Sequence, residues 1–226
     1  MENQTKAEFR YGGILLILGA FFTIICILLE VNAGWASLFV EIERTNYEAG
    51  TFLFENWAEM SKVWSVALFG NLFFAIASLL LFKHSMKIGW FPSSLFWAIF
   101  FIGSLLGLLS FGVCLGSYYH ALAVIDDYPN LFDTIRGVAL YLFMYGALFQ
   151  LVALAIYFQQ GFSAQGMVPR VYAWVVLVLV IGSFVLTGSG IVSFGVLAIA
   201  CYIVILLLGL FYVRGTNLPK DATLQE

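Results

Sequence analysis

Between Arg170 and Arg214 the chain runs 43 residues without one charged side chain. A helix that crosses a bilayer needs roughly 20 such residues, so this stretch has room for two crossings. Thr187-Gly188-Ser189-Gly190 lies inside it and supplies the turn chemistry of a tight helical hairpin. Residues 171–186 and 191–213 therefore read as two spans.

Four more charge-free runs precede them, at 11–29, 63–82, 93–117 and 138–158. The runs are apolar all round, which excludes the alternating strands of a membrane barrel. The expected fold is all-α: a single transmembrane domain over residues 1–226, with six transmembrane helices in a bundle. The prolines agree with this division. Pro92, Pro129, Pro169 and Pro219 all fall outside the six runs, where a missing N–H costs no helical hydrogen bond. The first run follows Lys6 and Arg10 like a signal peptide, but its apolar core exceeds the usual length of about 7–15 residues. It is read as a retained span.

Composition excludes the other broad classes. Only 10% of the residues are charged, against about a quarter in a soluble domain. That is too few for a soluble enzyme or a disordered chain. Ten Lys/Arg against thirteen Asp/Glu leave no basic surface for nucleic acid.

With six spans, Lys6, Arg10, Lys83, Lys87, Arg170, Arg214 and Lys220 share one side of the membrane. Arg44, Lys62 and Arg136 occupy the other. The positive-inside rule then puts both termini in the cytoplasm and the protein in the cytoplasmic membrane. The outer side also carries Glu41, Glu43, Glu48, Glu55, Glu59, Asp126, Asp127 and Asp133. Between spans one and two, residues 45–62 form an outer amphipathic helix expected to run into span two. Thr45 and Glu48 make a capping box, and Leu53, Trp57, Met60 and Trp64 recur on one face. Trp35, Trp57 and Trp64 suit an interfacial belt. This helix is either a cap on the bundle or a lid and docking face.

Charge inside the spans is nearly absent. Glu30 ends span one at a level where it can reach water, His120 follows span three, and Asp126 and Asp127 come next. These four form the candidate outer-face polar cluster, in which Glu30 beside His120 would make a pH-dependent contact. Thr23, Asn71 and Gln150 are the candidate intramembrane polar packing groups, because an unpaired amide in hydrocarbon is costly. Gly103/Gly107 and Gly112/Gly116 give span three two G-x-x-x-G patterns, the signature of close helix packing. That places span three at the centre of the bundle, or at a homodimer contact. Gly19-Ala20-Phe21-Phe22-Thr23 echoes Gly146-Ala147-Leu148-Phe149-Gln150, a match short enough for chance.

Cys26, Cys114 and Cys201 sit in apolar runs without metal-ligand spacing, and no cofactor motif or metal site is expected. No HxxxH, HExxH, DxxxD or GxSxG occurs. The sequence thus points to a multi-pass membrane protein without catalytic activity. Its expected role is accessory or interaction, or binding of an apolar ligand. Its partners are the lipid bilayer and a membrane-protein partner or a second copy. Two alternatives stay open. One is a small channel or transporter for a cation or neutral solute, with a polar path lined by Thr23, Asn71, Ser110, Tyr118, Tyr145 or Gln150. The other is an intramembrane enzyme using Glu30, His120 and Asp126.

Overall fold

The computed structural model describes residues 2–33, 46–87, 91–161, 170–189 and 194–214. Every element among them is an α-helix: α1 (Glu2–Asn32), α2 (Asn46–Glu55), α3 (Trp57–Lys87), α4 (Phe91–Leu122), α5 (Pro129–Gly161), α6 (Arg170–Gly188) and α7 (Phe194–Arg214). Four contain stretches long and apolar enough to span a membrane: Ala7–Asn32, Trp57–Met86, Ser93–Leu122 and Pro129–Leu154. α6 and α7 carry shorter apolar stretches, Arg170–Leu179 and Ile199–Arg214. Thr45, Trp35, Gly190 and Lys220 lie outside the described residues.

The first four long helices, α1, α3, α4 and α5, outrun their charge-free runs at both ends. Charge limits how far a segment enters hydrocarbon, but Glu, Lys and Arg are good helix formers. α1 therefore continues past Glu30, and α3 past Lys83. α6 ends at Gly188, within the expected turn, where Ser189 N–H donates to the Val185 carbonyl at 2.9 Å.

The segment expected as one helix running into span two is broken at Asn56. The Asn56 side-chain amide donates to the Phe52 carbonyl at 2.8 Å, and its backbone N–H donates to the same oxygen at 3.1 Å. Asparagine offers the backbone this alternative to helix continuation. The Asn56 carbonyl then accepts from Met60 N–H at 3.0 Å and opens α3. Residues 57–62 accordingly belong to the long helix α3.

α1 packs between α3 and α7, α3 between α1 and α4, and α4 between α3 and α5. α6 makes sparser contact with α5 and α7. This order gives α4 two main neighbours, like α1 and α3, and no central place. The interior has two apolar clusters. One gathers Leu16, Phe74, Phe96, Trp97, Phe100 and Tyr202. The other gathers Leu53, Met60, Trp64, Phe111, Tyr118 and Phe132. Thr23, Asn71, Ser104 and Gln150 are buried as well, one each on α1, α3, α4 and α5. Large apolar side chains also face outward, among them Leu109, Trp174 and Val178, as expected for surfaces that meet lipid.

Backbones approach closely at paired glycines. A methyl on Gly13 would lie 2.7 Å from the Gly209 carbonyl oxygen, and one on Gly103 2.7 Å from that of Gly146. Gly19 and Gly70 meet likewise, at 3.0 Å. Each close approach joins a neighbouring pair: α1 with α7, α4 with α5, and α1 with α3.

Candidate functional site

α1 and α3 are joined through two carboxylates. Glu8 and Glu30 stand 11 residues either side of Gly19. Eleven residues are close to three helical turns, so all three share the face of α1 that meets α3. The two carboxylates are about 33 Å apart along the helix, comparable with a hydrocarbon core of about 30 Å.

At one end Glu30 is only 9% exposed. Its carboxylate accepts a hydrogen bond from the Trp64 indole N–H at 2.8 Å. The Cys26 thiol, one turn earlier on α1, donates to the same carboxylate. Trp64 packs edge-on against Tyr118 of α4 with ring centroids 5.5 Å apart. Tyr118 in turn interacts with the Cys114 thiol. A carboxyl, two thiols, an indole and a phenol thus share a buried region contributed by three helices. The sequence placed Glu30 in reach of water; burial by Trp64 and its neighbours removes most of that access.

At the other end His84 Nδ1 lies 3.0 Å from a Glu8 carboxylate oxygen. The His84 side chain is 2% exposed, and Phe9 packs edge-on against it at 4.2 Å. A carboxylate at Nδ1 selects the tautomer that protonates that nitrogen. Nε2 is buried with no hydrogen-bond partner among the described residues. Ser85 and Ser93 join α3 to α4 nearby through their hydroxyls, 2.9 Å apart. Glu8 and His84 lie near span ends, where polar residues are common, so the sequence alone does not single them out.

His120 is exposed at the end of α4, and its ring neighbour is the adjacent Tyr119. The hydrogen bonds of Glu30 go to Trp64 and Cys26, not to His120. Asp127 is exposed. Asp126 accepts a hydrogen bond from the Tyr47 hydroxyl at 2.8 Å, which ties α2 to the turn between α4 and α5. α2 also lays Gly50 against Leu122 and Ile125, and Phe54 against Tyr119.

The Asp126 contact holds the Tyr47 phenol above its ordinary range, first through the hydrogen bond and then through the negative charge. A group raised on folding contributes stability below its unfolded value, about 10 for tyrosine. That contribution is lost as pH rises through the higher folded value. Asp126→Asn should bring the phenolate transition of Tyr47 back down, read by ultraviolet absorbance against Tyr47→Phe. An unchanged transition would show that the two side chains do not meet in solution.

Thr23, Asn71 and Gln150 do not pair with one another. Thr23 donates to the Gly19 carbonyl at 2.9 Å and Asn71 to the Ala67 carbonyl at 3.0 Å, each on its own helix. Gln150 donates to the Ser104 hydroxyl at 3.3 Å. Gly103 and Gly107 sit in tight contacts, with α5 and with Asn71 respectively. Gly112 and Gly116 face open space. No group of three or more His, Cys, Asp or Glu among the described residues is arranged to hold a metal ion.

These features define a helical bundle of membrane-crossing length with a buried polar group at each end. Comparison with protein-family models, curated proteins and solved structures finds no match.

Proposed function

We propose that this chain is a six-span bundle of the cytoplasmic membrane with both termini in the cytoplasm. Its role in this reading is non-catalytic: an accessory protein that holds a membrane partner or an apolar ligand. The observation that carries this reading is the way the polar side chains inside the bundle spend their hydrogen bonds. Thr23, Asn71, Ser104 and Gln150 bond to carbonyls of their own helix or to a neighbouring side chain. Ser110 of α4 reaches the Ala139 carbonyl of α5 at 2.7 Å. The bonds of Gln150 and Ser110 join α4 to α5, and the others are satisfied on their own helix. Groups bonded in this way are poorly placed to hand a solute along. The enzyme alternative needs Glu30 and His120 to act together, and Glu30 is engaged elsewhere.

The open glycine face of α4 suits a helix from a partner or from a second copy, since small residues let backbones approach in lipid. A photo-crosslinker at Leu109 should give a discrete adduct in native membranes, and one at Val178 should not. Protein reconstituted in sealed vesicles should leave proton, Na⁺ and K⁺ gradients intact. A gradient that collapses with wild type but not with Asn71→Ala or Gln150→Ala would replace this reading with transport.

The helix lengths support two crossings by α6 and α7. Their 19 and 21 residues reach about 28 and 31 Å at 1.5 Å per residue. The seven-to-three division of Lys and Arg supports the orientation. A reporter active only in the cytoplasm should work when fused after Val213. Activity there of a periplasm-specific reporter would leave the chain with an odd number of crossings.

A further inference from the structure

We propose that Glu30 is a proton-binding site buried near one end of the bundle, enclosed by α1, α3 and α4. This does not rest on the accessory reading, since a proton can bind with or without a partner protein. The argument begins with what surrounds the carboxyl. Its hydrogen bonds come from the Trp64 indole and the Cys26 thiol, both neutral donors. No Lys, Arg or His forms an ion pair with it among the described residues.

The ionisable groups on the packed elements are few. α1 contributes Cys26, and α4 contributes Cys114 and Tyr118. α3 presents only the uncharged Trp64 at this point. Arg136 of α5 acts on Tyr118. Glu48 and Glu55 of α2, and Glu59 and Lys62 of α3, are exposed to solvent. The ionised site is therefore one positive charge short in a place where an unpaired buried charge is costly.

The charge deficit calls for a cation, and packing selects which one. Cys26 and Trp64 are each 2% exposed, Tyr118 4% and Cys114 8%. A metal ion or an ammonium would have to separate the rings and thiols that close round the carboxyl. A proton adds no volume. Its uptake removes the charge, and the neutral acid can still accept the Trp64 hydrogen bond through its carbonyl oxygen. The aromatic chain from Trp64 through Trp57 to Tyr119 leads from this group to the face on which α2 rests. Displacement of α2 would bring water, and with it proton exchange, towards the carboxyl.

The experiment uses dicyclohexylcarbodiimide, an apolar electrophile that reacts with a carboxyl group in its protonated form, which supplies the proton the reagent's nitrogen must take up. The acid's proton moves to a carbodiimide nitrogen as the carboxylate oxygen adds to the central carbon. The acyl group then shifts from oxygen to nitrogen, giving a stable acylurea with no atom lost. Intact protein in lipid vesicles is treated over a series of pH values, and the adduct is mapped by peptide mass. Modification should occur at Glu30, fall as pH is raised, and be lost in Glu30→Gln. Trp64→Phe should increase labelling at a given pH, because it removes the indole donor that favours the ionised form. That second variant keeps the test meaningful even if Glu30→Gln folds poorly. No adduct at Glu30 at any pH, or a yield that does not change with pH, would overturn the proposal.

Discussion

Phe74→Ala should remove about 3 kcal/mol of stability, among the largest losses from a single side chain here. Phe74 is fully buried and links four helices. Its ring stacks on Tyr202 of α7 at 5.8 Å and meets Phe100 of α4 edge-on at 5.7 Å. On α1 it fills the space that Gly19 leaves by having no side chain. Truncating a buried phenylalanine costs about 3–5 kcal/mol in soluble proteins. The lower end applies here, because lipid is as apolar as the core and the transfer part of the cost is largely absent. What remains is lost contact and the cavity. Phe69, on the same helix but 54% exposed, provides the comparison: Phe69→Ala should change stability by no more than about 0.5 kcal/mol. Unfolding in mixed detergent micelles measures both. Equal losses would mean that Phe74 does not join the helices as described.

How much of this was legible beforehand depends on which physical signal each feature leaves. The apolar runs at 63–82, 93–117 and 138–158 each lie within one long helix, because bilayer burial demands absence of charge and absence of charge is visible. The ends were less visible, because charge stops burial in lipid but does not stop a helix. The break at Asn56 left little trace. Leu53, Trp57, Met60 and Trp64 keep helical spacing across it, and the interruption comes from one side chain bonding to one carbonyl.

The polar sites show the same limit. Glu30 and His120 were linked because both end a span at one level. Level says nothing about which helices are neighbours, and α1 packs mainly on α3 and α7 rather than on α4. The more useful signal was the spacing of Glu8, Gly19 and Glu30, which puts both carboxylates on the face that meets α3. His84 could then be sought opposite Glu8, and Trp64 opposite Glu30. The glycine patterns of α4 announced close packing without saying which pair is used. Gly13 and Gly209 belong to no G-x-x-x-G pattern, since a close crossing needs only one glycine on each helix.

Gly103→Ala should destabilise the bundle by about 1–3 kcal/mol, the usual cost of added bulk in a tight core. The new methyl would stand 2.7 Å from the Gly146 carbonyl oxygen and 3.0 Å from the Gln150 backbone nitrogen, both on α5. A side chain can rotate away from such a contact, but helical backbone cannot. α4 and α5 must therefore move apart, and the Gln150–Ser104 hydrogen bond beside the crossing weakens with them. Gly146→Ala meets the Gly103 carbonyl oxygen at 2.8 Å and should cost a similar amount. Gly107→Ala is a graded case, because its methyl meets the side-chain oxygen of Asn71. That amide can turn aside by giving up its bond to Ala67, so Asn71→Ala should recover much of the loss. Gly112→Ala has nothing within 4 Å and should be neutral, or stabilising by up to about 1 kcal/mol through helix propensity. Unfolding of the set in one detergent system gives the ranking. If Gly103→Ala and Gly112→Ala fell together, the α4–α5 contact would not run through Gly103. If Gly112→Ala alone were damaging, the open face of α4 would be occupied in solution.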